Sequence, residues 1–143
     1  MARQKSNPNQ YTPDIVKVKM ASNFNSAASA TWQDTGLKIT LPTPGTWFIC
    51  ADLRTGNSST ASRYGTLRLT NETTATAYAD TYRLTNYTSA AADLQCTLPI
   101  TDFITTTTAN NIIRVEILPA GAYTIVLISD VSGNSTLKAM RIG

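Results

Sequence analysis

The chain has no histidine. That removes the usual general base at neutral pH, the common nucleophile triads and most transition-metal sites. Cysteine is almost as scarce, with Cys50 and Cys96 the only two. A single pair in 143 residues is not a disulfide framework. Both fall on apolar stretches, where a free thiol behaves as a small hydrophobe. They would bridge only if their strands faced each other closely. Charged residues make up 15% of the chain, well below the roughly 25% of an average globular protein. No apolar run approaches a membrane span, and no N-terminal run resembles a signal peptide. Four Asn-X-Ser/Thr triplets, at Asn57, Asn71, Asn86 and Asn134, are therefore read as unmodified. Glycine-rich phosphate loops and cysteine ligand clusters are also missing from the sequence. Of the nine acidic residues, Asp34, Glu72, Asp93 and Asp130 read as solvated turn residues. Asp52 and Asp102 lie nearer apolar strands. Asp130–Asn134 lacks the terminal bidentate acid of a calcium loop and reads as a hairpin turn. An enzyme, a metal site and a bound cofactor are all unexpected.

What the chain has instead is threonine and asparagine, 24 and 10 residues respectively. Threonine packs well on a pleated surface, and asparagine tolerates the positive φ of turns. The formal net charge is +3, and Arg3, Lys5, Lys17 and Lys19 against Asp14 concentrate it at the front. Residues 1–14 have no apolar period and carry Pro8 and Pro13, so they read as an extended basic arm. Fully stretched, fourteen residues reach roughly 45 Å. Four cations without an aromatic platform or a helix-turn-helix pattern argue against nucleic acid.

Residues 15–143 read as one all-β domain, an antiparallel β-sandwich or jelly roll of about ten short strands. Val16, Val18 and Met20 alternate with lysines. Ala30–Gln33 and Leu37–Leu41 read as two short strands around an Asp34-Thr35-Gly36 turn. In Thr46–Arg54, Trp47, Ile49, Ala51 and Leu53 share a face, and Phe48 and Cys50 make the other face partly apolar. Leu67 and Leu69 mark another strand. Tyr78, Tyr82 and Leu84 share a face in a strand near a sheet edge. Leu98 and Ile100 flank Pro99, which argues for an edge or a bulge. Ile113, Val115 and Ile117 alternate with Arg114 and Glu116. Tyr123, Ile125 and Leu127 face one way, with Val126 and Ile128 facing the other. Leu137, Ala139 and Met140 close the domain. Strands apolar on both faces need a cover; a symmetric neighbour supplies one economically, and a loop or the arm is the alternative. Contacts with such a neighbour are therefore expected from Phe48, Tyr123, Ile125 and Leu127, or from the opposite face of the last three.

The segment Thr31–Leu53 holds Trp32-Gln33-Asp34-Thr35-Gly36-Leu37, Leu41-Pro42 and Pro44-Gly45-Thr46-Trp47. It resembles jelly-roll domains of the tumour-necrosis-factor/C1q topology. The ending, Ser135 to Gly143, looks like endings of phage versions of that domain. The resemblance covers about residues 28–143. It implies a homotrimer, and among phage proteins it implies one of two roles. The first is a tailed-phage capsid decoration (cement) protein on the outer capsid surface, made in the host cytoplasm. Its partners would be two further copies of itself and the major capsid protein, with neither nucleic acid nor membrane involved. A chain that begins at Met1 with only a short arm favours this role. The arm, with Arg3, Lys5 and Tyr11, would then bind the capsid, ordering on contact. The second is the receptor-binding head of a tail fibre, recognising host glycan or protein. The loops Gly56–Ser62, Asn86–Asp93 and Thr105–Asn111, with Asn57, Tyr87 and Asn110, would then carry recognition.

Overall fold

The computed structural model describes residues 14–57, 64–85, 95–121 and 124–143. Arg3, Lys5, Tyr11, Tyr87 and Tyr123 lie outside the described residues. Among the described residues thirteen strands appear in chain order. They are β1 (Ile15–Lys19), β2 (Phe24–Asn25), β3 (Gln33–Leu41), β4 (Gly45–Asn57), β5 (Gly65–Asn71), β6 (Thr76–Ala77) and β7 (Arg83–Leu84). There follow β8 (Cys96–Thr106), β9 (Asn111–Pro119), β10 (Ile125–Leu127), β11 (Ser129–Asp130), β12 (Gly133–Asn134) and β13 (Thr136–Arg141). One 3-10 turn, Ala79–Thr81, separates β6 from β7. Among the described residues no helix is long and apolar enough to cross a membrane.

Eleven of these strands form two antiparallel sheets, consistent with a jelly roll, and β11 and β12 pair as a separate hairpin. In the first sheet β4 is central. It pairs with β8 along one side, and with β13 and then β10 along the other. β1 adds to β13, and β2 adds to β10. In the second sheet the order is β3-β9-β5, with β6 and β7 both on the outer side of β5. β4, 13 residues long, runs the length of the sandwich, about 40 Å at roughly 3.3 Å per residue.

The alternation in the sequence sets what faces inward. Trp47, Ile49, Ala51 and Leu53 of β4 are fully buried. They meet Leu37, Ile39 and Leu41 of β3, Leu67 and Leu69 of β5, and Ile113, Val115 and Ile117 of β9 in one core. The Trp47 indole N–H donates to the Thr43 carbonyl at 3.2 Å, so the largest core side chain leaves no polar group unpaired. Val16 and Val18 pack against the same core, as the first alternating segment requires.

Three expectations are revised. Residues 30–41 do not form two strands around a turn. β3 is one strand with a register break between Asp34 and Lys38. Gly36, at φ 77°, takes the kink, Asp34 Oδ1 accepts its N–H at 2.8 Å, and the Thr35 hydroxyl reaches across to the Val115 carbonyl at 2.8 Å. The segment holding Tyr78, Tyr82 and Leu84 is not one strand either. The fully buried Thr81 accepts the Leu69 N–H and donates to the Tyr78 carbonyl, pinning a 3-10 turn there. The third revision concerns Ile125 and Leu127. Both point into the core, so their side chains are not open to a second copy. On β10 only Val126 faces outward. Ile128 leaves the strand and packs against Gly56. A charge at Ile125 would break the fold before any assembly.

Candidate functional site: the two outer faces

The register carries four apolar side chains into one row on the outer face of the β4 sheet. Ile15 of β1 sits opposite Met140 of β13, Met140 opposite Phe48 of β4, and Phe48 opposite Phe103 of β8. Ile15 and Phe103 are 68% and 63% exposed, and Met140 is 37% exposed. The Phe48 and Phe103 rings meet with centroids 5.2 Å apart, tilted by 46°. A shallow depression between Ile15, Phe48, Cys50, Lys138 and Met140 continues the row. The next row across the sheet is Lys17, Lys138, Cys50 and Thr101. Lys138 bonds Asp52 at 2.8 Å, which raises its pKa. Burial, helped by the charge on Asp52, pushes the Cys50 thiol up. Phe48 therefore stands on the surface where the sequence placed it. Phe103 was missed, although it has the opposite parity to the buried Ile100 and Ile104 and so had to point outward.

The outer face of the second sheet is built differently. Asp34, Glu116 and Arg68 lie side by side across β3, β9 and β5, with Lys38, Arg114 and Thr70 in the neighbouring row. Lys38 bridges Asp34 and Glu72 at 2.7 and 2.8 Å. Glu116 is 4% exposed and accepts from Arg68, Arg114 and Thr70. Burial pushes its carboxyl up, but those three donors outweigh it and hold the pKa below the ordinary value. Burial and the same kind of opposing donors act on Asp34, with a net lowering. The Arg68 guanidinium lies 3.8 Å from the centre of the Trp32 ring and donates to the Tyr82 hydroxyl at 2.9 Å. Three acids and three bases thus neutralise each other under an aromatic edge.

The remaining candidates separate. Cys50 faces outward and Cys96 lies on the opposite face of the same sheet, with its sulfur 3.0 Å from the Thr55 hydroxyl, and both are free thiols. Asp52 faces outward beside Lys138, while Asp102 accepts the Phe103 N–H on the other face. Among the described residues no three His, Cys, Asp or Glu side chains gather as a metal site. Arg54 holds the β11–β12 hairpin through Asp130 at 2.8 Å and the Gly133 carbonyl, so this segment is a braced turn. Of the three loops read for recognition, Asn86–Asp93 and most of Gly56–Ser62 lie outside the described residues. Asn57 pairs with Ile125 at one end of β4, and Cys96, which follows residues 86–94, pairs with Thr55 near that same end. Thr106 pairs with Gly45 at the other end, where Asn110 sits at φ 58°.

No protein-family model matches the chain, and no curated protein matches it by sequence. Solved structures match it in fold. A structure of infectious bursal disease virus, Gx strain, is similar over 99% of this chain at a TM-score of 0.56 and 13% identity. The VP2 subviral particle of infectious bursal disease virus is similar over 100% of it at 0.58 and 13%. This chain spans 36% and 37% of those two chains. The Eiger TNF of S. frugiperda is similar over 90% of this chain and 85% of its own, at 0.50 and 11% identity. At such identities the likeness is one of fold: an antiparallel β-sandwich of the kind found in these viral and TNF proteins.

Proposed function

We propose that this chain is a non-enzymatic structural protein of a virion, a decoration protein that sits on the outer capsid surface as a homotrimer. The observation that carries the self-association is the exposed row Ile15–Met140–Phe48–Phe103. Large apolar side chains gathered on one sheet face mark an interaction surface. The opposite outer face carries mutually neutralised charges and suits solvent. The fold shared with VP2 of infectious bursal disease virus supports a virion setting, and the resemblance to TNF/C1q-type domains supplies the threefold expectation. Residues 1–14, through Arg3, Lys5 and Tyr11, would reach the major capsid protein.

Two measurements test this. Light scattering on the purified chain should give three times the monomer mass, and a monomer at micromolar concentration would remove the self-association. Copy number in purified particles should be near equimolar with the major capsid protein. A few copies per particle would move the chain to a tail fibre as a receptor head. That alternative would draw on loops at both ends of the sandwich, with Asn57 at one end and Asn110 at the other. Deleting residues 1–14 should abolish capsid binding while leaving the oligomer intact. Unchanged affinity would exclude the arm as the anchor.

A further inference from the structure

Among the described residues β8 is the longest strand at a sheet edge, since it pairs with β4 alone. The directions of its backbone groups follow from β4. Thr46 turns both its N–H and its carbonyl toward the β13 side, where Gly143 and Ile142 meet them. The Arg54 carbonyl points the same way and accepts the Ile128 N–H. Strand positions alternate in this respect. The odd-numbered positions of β4 therefore turn to the even-numbered positions of β8, which the register sets opposite them. Thr97, Pro99, Thr101, Phe103 and Thr105 are left aiming their backbone groups at the open edge. Pro99 has no N–H to offer there. The Phe103 N–H is taken up by Asp102 Oδ1 at 2.8 Å. We propose that Pro99 and Asp102 guard this edge: they stop a second copy of the chain from adding its own β8 there and extending the sheet.

Three observations carry the proposal. The first is the pattern of donors. An antiparallel neighbour exchanges two bonds at every outward-aimed position. With Pro99 and Phe103 both withdrawn, no two successive outward-aimed positions of β8 keep a donor for it. Two β8 strands paired around Thr101 would set Pro99 of each copy against Phe103 of the other, and neither of those pairs would have an N–H to give. The second is the side chain at position 102. Ile100 and Ile104 are core residues, 0% and 1% exposed. Alternation puts residue 102 on their face, yet it is a carboxylate, and its Oδ1 leans to the open edge to reach Phe103. An inward charge on an edge strand is tolerated while water reaches the edge and becomes costly once another strand covers it. In the same paired arrangement the two Asp102 carboxylates would lie on diagonal positions of one face, where like charges repel. The third is that the other sheet edges are closed as well, each by different means. β1 carries the exposed Lys17 and Lys19. β3 is broken by the bulge between Asp34 and Lys38. β6 and β7 are two residues each, split by the 3-10 turn. Without a guard, the 11 residues of β8 would be the one long edge left open among the described residues. Association is thereby left to the sheet faces.

The proposal depends on neither the trimer nor the virion setting. The test compares the full wild-type chain with a double variant, Pro99→Thr and Asp102→Val, which restores both donors and the apolar alternation. Circular dichroism controls for folding, and Asp102→Ala takes the place of Asp102→Val if valine does not fit. In sedimentation velocity, up to millimolar concentration, the double variant should form assemblies larger than those of wild type. In these assemblies the Thr101, Phe103 and Thr105 amides should exchange with solvent about tenfold more slowly, the equivalent of one added hydrogen bond. The Lys17 and Lys19 amides, at the far edge of the same sheet, should keep their wild-type rates. Adding Phe48→Asp should leave the edge-paired assemblies in place, so that a failure of the face-to-face trimer is read separately. A double variant that keeps the wild-type mass, or larger assemblies without slower exchange at Thr101, Phe103 and Thr105, would overturn the proposal.

Discussion

Glu116 shows how a residue's role depends on neighbours that are distant in sequence. It sits on an outward-facing position, yet Arg68, Arg114 and Thr70 enclose it. Removing one partner of a buried pair leaves the others uncompensated. Glu116→Gln should therefore cost about 3 kcal/mol at pH 7, read as a lower urea midpoint. The pH dependence follows from the lowered pKa. The folded state holds the carboxylate more strongly than the unfolded chain does. Its contribution is thus complete above the unfolded value, about 4.3, and is lost as pH falls through the lower folded value. Asp34 acts in the same direction. Wild type should lose stability below that point more steeply than Glu116→Gln, and the two midpoints should converge. Parallel curves would mean that Glu116 is not the titrating group. The burial of Glu116 was not legible in the sequence. Alternation in Ile113–Ile117 assigns it to the outside beside Arg114 on the same strand face, and only the register against β5 brings Arg68 and Thr70 over it.

At the level of elements, strands whose faces alternate cleanly were readable. β4, β5, β9 and β13 stand where Trp47–Leu53, Leu67–Leu69, Ile113–Ile117 and Leu137–Ala139 put them. The edge placement of β8 was readable from Pro99, because among the described residues β8 pairs with β4 alone. What failed were places where backbone geometry overrides local pattern. Asp34-Thr35-Gly36 has the composition of a turn, but Thr35 bonds across to β9 and the strand continues through a bulge. Tyr123–Ile128 alternates as if both faces needed covering, but β10 ends at Leu127 and Ile128 is buried beside Gly56. One element junction gives a sharp test. Gly45 opens β4 at φ 139°, and a Cβ there would collide with the Gly143 carbonyl oxygen, which accepts the Thr46 N–H at 2.7 Å. Gly45→Ala should cost about 1–3 kcal/mol, seen as a lower thermal midpoint. Deleting Ile142 and Gly143 in the same background should recover part of that loss. A Gly45→Ala protein as stable as wild type would mean that this junction is looser than described.

For the whole molecule, the two outer faces differ in kind, and this gives the sandwich a direction. The face with Phe48 and Phe103 is the one available for association. Phe48→Asp and Phe103→Asp should each give a soluble, folded monomer, since neither side chain enters the core, and the pair of rings should account for about 0.5–1.5 kcal/mol beyond area burial. The readout is sedimentation velocity with circular dichroism as the control for folding. An oligomer that survives both substitutions would place the contact elsewhere. Alkylation of Cys50 should quicken in the same variants, because it lies in the adjoining row. The individual strands of this face were legible in the sequence. The row itself was not, because its four members come from four strands and meet only through register.

The placement of β13 between β1 and β4 also has a kinetic consequence. The strand nearest the C-terminus of the sequence completes the sheet that the first strand begins. Neither β1 nor the inner half of β4 has its full set of ladder partners until β13 arrives. Such remote pairing must close a very long loop before it is rewarded, which places refolding in roughly the millisecond-to-second range of other β-sandwiches. A ribosome-bound chain lacking β13 would expose the edge of its longest strand, so the moment of greatest risk of misassociation comes just before synthesis of β13 is complete.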